Sequence, residues 1–515
     1  MCRCQEAGLY VILAGSVFAL ASVRPWAYVP LWVASAALAL LLLERVAVVR
    51  ALRGRVGRRR FSFHPSGFWL VLDDEAPYGM PTWSFDLARP PVPLGPLAIP
   101  GAALLALILL QLLPLPAPLV NLLSPRRAEL SRVPAGSFVP LTVSEIDTRR
   151  GLAFAATAWL IHLVAGAVLD RSAAARRIRA LVAGLGAVLG LVALVQRTSG
   201  TSRLLGLVPP IEYDGHSVAM GPFVNRNHFA GYMLMATCLA LGLLVKNATA
   251  YVRRAGSRTN MRRWLVNLQS DAGTAFLYSL LAAVATVGSL LAANSRAGLV
   301  AFVVALVVAL IWGRAGGRGA VWVPLGLIAV VAFGMLGLEQ LAPRWQRLSQ
   351  EAPGRLIVWR ASIEGMRGLW LTGSGFNTFA SAVSRTSAWA LPKGATPWQD
   401  PEETSVTQNP QMAFFSPPGA PGLGWYREAH SDFLQLLVEV GVPGLLIVLA
   451  GIRRLFSVVR KDPFLAAALL GVLLHELVDF DLQVPAVAVL FAVVAAMPPT
   501  SADHPDEVFR RHRSA

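Results

Sequence analysis

The sequence predicts an all-α, polytopic membrane protein of about twelve transmembrane helices, because apolar runs of bilayer-spanning length recur along its whole length. Two further observations support that class. The chain of 515 residues is 55% hydrophobic and only 15% charged, with a mean hydropathy of +0.55, too few charges for a soluble chain of this size. Its basic residues also gather in alternate connections, as topology rules require of cytoplasmic loops. The net charge of +17 is therefore assigned to anionic headgroups and topology, and nucleic-acid binding is not expected.

The apolar runs lie at Leu9 to Val23, Ala27 to Val49, Leu97 to Leu113, Leu152 to Leu169, Ala180 to Val195 and Phe229 to Val245. The second half continues with Thr274 to Ala293, Ala297 to Trp312, Ala320 to Leu338, Phe433 to Ile452, Phe464 to Val478 and Val484 to Met497. The first run lacks a small-residue cleavage site before Arg24-Pro25 and reads as a retained helix. Cys2 and Cys4 sit at the extreme N-terminus and Cys238 inside an apolar run, so no stabilising disulfide is expected.

Arg45 to Arg60, Arg171 to Arg179, Lys246 to Arg263, Arg314 with Arg318, and Arg453 to Lys461 all fall on one side of an alternating topology. That side is the cytoplasm, and both termini share it; Arg149 and Arg150 are the exceptions. The opposite, periplasmic face receives the connections at 121–150, 197–226 and 294–296, and the long segment 339–429. Four segments result: 1–194 with the first five spans, 195–338 with the central spans, the periplasmic loop 339–429, and the C-terminal spans and tail at 430–515. Within the loop, Arg355, Trp359, Arg360, Ile363 and Met366 have the spacing of an amphipathic helix lying on the membrane. The Pro-rich second half of the loop reads as an irregular lid.

Three spans run inward from the periplasmic face and open on polar residues: Asn225-Arg226-Asn227-His228, Asn294-Ser295-Arg296, and Glu428-Ala429-His430-Ser431-Asp432. A helix N-terminus offers free N–H groups and a partial positive charge, and an added Arg brings bidentate donors. Arg226 and Arg296 together therefore suit a diphosphate, although an Arg at a span end also snorkels to the headgroups without further role. The same helix-end charge disfavours imidazolium at His430, leaving a neutral ring able to accept a proton from a hydroxyl, with Glu428 placed to orient it. Inside the spans, Glu44, His162, His475, Glu476 and Asp479 are ionisable; His475 and Asp479, four residues apart, are expected to pair with each other or with a neighbouring helix. Neither a His-Glu-x-x-His, a phosphate-cradling Gly loop nor an Asp-rich metal set is present, so neither a metal nor a nucleotide cofactor is expected.

Four stretches carry a likeness to a known family: Gly221 to Tyr232, Ser295-Arg296-Ala297-Gly298, Gly354-Arg355 through Trp359 to Gly373-Ser374-Gly375-Phe376-Asn377-Thr378-Phe379, and His430 to Gly444. In these the chain resembles the O-antigen ligase and polymerase superfamily, whose members transfer glycans from a polyprenyl diphosphate carrier at the periplasmic side of the inner membrane. The resemblance implies a GT-C-like helical glycosyltransferase with His430 as base and Arg296 and Arg355 on the diphosphate. Arg226 joins them on the helix-end argument, and Asn225, Asn227, His228 and Arg360 are candidate substrate-binding residues. The implied partners are an undecaprenyl-diphosphate-linked glycan as donor, lipid A core or a growing polysaccharide as acceptor, and membrane lipids. After Gly441 the chain runs Val442-Pro443-Gly444 where the ligase pattern has Gly, Thr and Tyr types, which leaves a polymerase as the alternative to a ligase. A lipid-glycan flippase or transporter is the alternative from another class.

Overall fold

In a computed structural model the described residues are 2–19, 21, 25–56, 61–63, 70–72, 83–85, 94–127, 136–170, 172–201, 203–207, 220–255, 261–314, 358–360, 362–383 and 428–500. Apolar runs become helices because an intrahelical ladder satisfies every backbone polar group without water. They are α1 (Cys2–Phe18), α2 (Pro25–Val56), α3 (Ala98–Leu112), α4 (Ala117–Leu123), α5 (Glu145–Leu169), α6 (Ser172–Ser199) and α7 (Arg226–Ala255). Then follow α8 (Met261–Asn267), α9 (Asp271–Ala292), α10 (Arg296–Arg314), α11 (Phe379–Val383), α12 (Asp432–Val459), α13 (Pro463–His475) and α14 (Pro485–Ala495). Six of these helices, within α2, α5, α6, α7, α9 and α12, are long and apolar enough to cross a membrane. Shorter apolar helices lie at Ala98–Leu112, Arg296–Ala309, Pro463–His475 and Pro485–Ala495. The run expected at 320–338 lies outside the described residues.

Local chemistry sets the helix ends. Ser144 caps α5 by accepting from the Asp147 amide, and Glu145 and Asp147 put negative charge in the first turn. This start lies seven residues before the apolar run and accounts for the exceptional basic pair. Arg149 contacts Glu145 at 2.9 Å and Arg150 lies 3.8 Å from Asp147, so both are paired within their own helix. Asp462 caps α13 through the Leu465 amide with Pro463 at the first helical position. A small antiparallel sheet, Phe61–Phe63 between Leu70–Leu72 and Trp83–Phe85, occupies a connection that the sequence reading treats only as basic loop.

Helix α7 is the centre of the bundle. Phe229, Tyr232, Met233, Leu234 and Cys238 on it are fully buried, and it packs against α6, α9, α10 and α13. Helix α14 packs on α5 and α1, and α12 on α3, so C-terminal helices are interleaved with N-terminal ones. His162 on α5 joins these layers: its Nε2 accepts from the Leu97 amide at 3.1 Å and its Nδ1 lies 3.0 Å from the Ala492 carbonyl on α14.

Helix α12 breaks at Gly441, which has φ 66° and ψ −173°, two residues before Pro443. Proline has no N–H to offer the carbonyl four residues back, so Glu439 O is released from the ladder. The segment 370–375 takes up the broken backbone. Gly375 N donates to Glu439 O at 3.0 Å, Ser374 N to Val438 O at 2.9 Å, and Val442 N to Trp370 O at 2.8 Å. Gln111 of α3 secures the junction, donating at 2.8 Å to both Thr372 O and Glu439 O and accepting from Phe376 N at 3.0 Å.

Candidate functional site

The first turns of α7 and α10 lie against each other, and the start of α12 is linked to α7 through the Phe480 ring, which touches both His228 and His430. Asn225 caps α7, its Oδ1 accepting from the Asn227 amide at 2.8 Å, and Arg226 is the first helical residue. Helix α9 ends on Asn294 in the left-handed region, φ 54°, and Ser295 caps α10, so the tight turn expected here delivers Arg296 to a helix start. Gly298 keeps α10 close: a Cβ on it would lie 3.0 Å from Ala230 Cβ in the first turns of α7. Arg226 and Arg296 are both half-buried, each heading its helix. Arg355 lies outside the described residues, as does the second half of the expected lid from 384 to 427.

His430 occupies the left-handed region, φ 51°, immediately before Ser431, which caps α12 by accepting from the Leu434 amide. A non-glycine residue held there costs free energy and persists only where its surroundings fix it. The surroundings are specific. Ala429 N donates to Gln435 Oε1 at 3.0 Å, and Ala429 O accepts from Trp359 Nε1 at 2.9 Å. The Gln435 amide nitrogen reaches Glu428 Oε2 at 3.0 Å, Glu439 Oε1 at 3.1 Å and Gln483 Oε1 at 3.2 Å. The His430 ring meets Phe480 edge-on at 5.2 Å, and the same Phe480 ring meets His228 at 4.6 Å.

Glu439 ties the site to the 374–379 stretch, accepting from Asn377 N at 2.7 Å and Phe379 N at 3.1 Å. Nearby helical residues 358–360 and 362–365 realise part of the expected amphipathic helix. Val358, Ser362 and Met366 face inward, whereas Ile363 is 51% exposed. Arg360 is exposed and pairs with Glu364 at 2.9 Å on the outer side of that turn.

Below these helix starts lies a buried acidic set that the sequence reading names only in part. Asp432, Glu476, Asp479 and Asp481 are all less than a tenth exposed. Asp432 N donates to Glu476 O and Asp479 O, Asp432 Oδ1 accepts from Gln483 Nε2 at 2.7 Å, and Glu476 Oε2 accepts from Asp481 N at 2.8 Å. Of the two expected alternatives for His475 and Asp479, pairing with each other or with a neighbouring helix, Asp479 takes the second; α13 ends at His475, which removes the four-residue spacing from a helix, and His475 Nδ1 meets Asp481 Oδ2 at 2.6 Å. Asp479 turns to α7, accepting from Asn227 Nδ2 at 2.8 Å.

Gln435, Glu439, Gln111, Phe480 and Asp481 are site-forming residues that the sequence reading omits. Gln111, Gln435 and Glu439 had a readable signal, since each is polar within an apolar span and such side chains face the bundle interior. Phe480 carried none. Chemically, the arrangement offers cationic side chains at two adjacent helix N-termini and a braced imidazole at a third.

Comparison with known proteins agrees on the C-terminal half. Residues 281–449 match the model of a family described as O-antigen ligase, a stretch that runs from within α9 through Arg296 and His430 to the middle of α12. No curated protein and no solved structure matches the chain.

Proposed function

We propose, for a chain whose residues 281–449 belong to the O-antigen ligase superfamily, that it transfers a glycan from an undecaprenyl-diphosphate carrier to an acceptor sugar hydroxyl on lipid A core. The transfer takes place at the periplasmic face of the bacterial inner membrane, in a GT-C-like bundle of about twelve spans, a number set by the hydropathy runs. The observation that carries the reading is His430 itself, held in a left-handed turn at the head of α12 by Gln435, Glu428 and Trp359.

In this reading the acceptor oxygen attacks the anomeric carbon while His430 takes its proton, with Glu428 orienting the turn. The bond from the anomeric carbon to the carrier phosphate breaks, and its electron pair leaves with the diphosphate. Arg226, Arg296 and Arg355 stabilise that leaving group, helped by the N-termini of α7 and α10, so no metal or cofactor is needed on it. A single displacement inverts the anomeric centre. Asn225, Asn227 and Arg360 are assigned to sugar or carrier binding.

The departure at Val442-Pro443-Gly444 favours a second reading, in which the acceptor is the end of a growing O-antigen or exopolysaccharide and the protein is a polymerase. Electrophoresis of surface and carrier-linked glycan from cells lacking the gene separates the two. Bare lipid A core with long polymer stranded on the carrier means ligase, core bearing single repeats means polymerase, and unchanged glycan in both pools contradicts either.

A further inference from the structure

The turn between α13 and α14 lays Asp479 and Asp481 against the first turns of α7, with Asp481 opening a short 3-10 turn at Asp481–Gln483. The approach is close enough to demand glycine at position 231, where a Cβ would overlap Asp481 Oδ2. We propose that His228, Asp479 and Asp481 form a binding site for one divalent cation of the Mn2+ or Zn2+ type.

One donor atom from each of the three residues lies within 4.8 Å of the others, and all three residues are more than nine-tenths buried. The hydrogen bonds around these three residues are unevenly shared. Asp479 Oδ2 is occupied by Asn227 and its Oδ1 by the Phe480 amide at 3.0 Å, while Asp481 Oδ2 is occupied by His475. Asp481 Oδ1 and His228 Nε2, by contrast, have no hydrogen-bond partner among the described residues although both are buried. His228 Nε2 stands 3.9 Å from Asp479 Oδ1, beyond hydrogen-bond reach. A carboxylate oxygen and a ring nitrogen left thus in the interior are costly, and one cation satisfies both.

The ligand types agree with that assignment. Imidazole suits zinc and its neighbours, and carboxylates suit manganese and magnesium, so a mixed His-Asp-Asp set falls to Mn2+ or Zn2+. Metal–ligand bonds of about 2.0–2.2 Å put donors about 3–4 Å apart, which small side-chain rotations reach from this geometry. The outer contacts have the form of a metal site's supporting shell: His475 orients Asp481, and Asn227 orients Asp479. Two positive charges here also offset the crowding of Asp432, Glu476, Asp479 and Asp481. The cation would fix the first turn of α7, and with it Arg226, to the turn carrying Phe480, the ring that touches both His228 and His430. Its role is positional, it is separate from the leaving diphosphate, and it does not depend on the glycan-transfer reading.

The test uses the full-length protein in detergent, stripped with EDTA and titrated with Mn2+ under electron paramagnetic resonance. One Mn2+ per chain is expected, displaced by Zn2+, with nitrogen modulation from an imidazole in the spin-echo signal. Asp481→Asn and His228→Gln are expected to weaken binding at least tenfold while remaining monodisperse. Absence of saturable Mn2+ binding in wild type, absence of the nitrogen signal, or wild-type affinity in either folded variant would overturn the site. If neither variant folds, the wild-type stoichiometry and nitrogen signal decide alone.

Discussion

The Gln435 side-chain amide and the Glu428 carboxylate are joined at 3.0 Å, and through Ala429 they close a ring of contacts around the His430 turn. Gln435 is therefore a positioning residue, since it fixes the backbone on which His430 stands. Gln435→Ala leaves the Ala429 amide without its acceptor, at a cost of about 1–3 kcal/mol for a buried unsatisfied group. A melting temperature lowered by several degrees, with glycan transfer reduced about tenfold or more, is expected from detergent melts and turnover in vesicles. Unchanged transfer would show that the turn holds itself.

The two helix-start arginines carry separate predictions. Loss of one preorganised transition-state donor typically costs about 100- to 1000-fold in rate, so Arg296→Ala and Arg226→Ala are each expected to fall in that range. Lys at either position restores the charge without the bidentate fork and recovers only part of the rate. Normal membrane insertion of each variant, checked by fractionation, is part of the prediction; full turnover in Arg296→Ala would remove its role.

Gly441 and Gly373 face each other across the break in α12. A Cβ on Gly441 would lie 2.7 Å from Trp370 O at a φ of 66°, and one on Gly373 would overlap Glu439 O. Gly441→Ala is expected to cost about 1–3 kcal/mol from the left-handed backbone alone. Both added methyls also meet backbone, and Gly373→Ala, whose Cβ would come closer, overlapping Glu439 O, is expected to cost more. Thermal melts rank the two, and the opposite order would contradict the docking of the 370–375 segment described here.

The helix break illustrates which parts of this structure are legible in sequence. Hydropathy places a helix on every apolar run within the described residues, because period and composition are local properties. The tight turn at Asn294-Ser295-Arg296 and the cap at Ser431 are equally local and equally readable. The bracing of His430 is not, since Gln435 acts through Gln483 and Trp359 acts through Ala429, partners 48 and 70 residues apart along the chain. Gln111 is harder still, meeting Glu439 across 328 residues. Which of its two expected partners Asp479 takes, the neighbouring helix, is unreadable for a related reason: the helix end at His475 is defined only by the tertiary turn at 476–480.

At the opposite end of α13, Asp462 meets Arg179 at 2.8 Å and accepts from Thr500 and Leu465. Burial pushes its carboxyl up, but Arg179 and these hydrogen bonds outweigh burial and hold it below the ordinary value. A depressed folded-state value means stability that is present above the unfolded value and lost as pH falls through the folded one. Asp462→Asn keeps a cap for Leu465 but strands a buried Arg, a loss of about 3–5 kcal/mol when a buried pair is broken. The stability gap between wild type and Asp462→Asn should therefore be wide at neutral pH and narrow at acid pH, below the ordinary carboxylate range. A gap independent of pH would contradict the ion pair.

Glycan transfer by His430 is measurable with purified protein in liposomes supplied with undecaprenyl-diphosphate-linked glycan and lipid A core. Wild type is expected to give a glycan-bearing lipid product and released carrier diphosphate, and His430→Ala to give neither. Product formed at the wild-type rate by His430→Ala, in protein of normal fold, would contradict that role of His430.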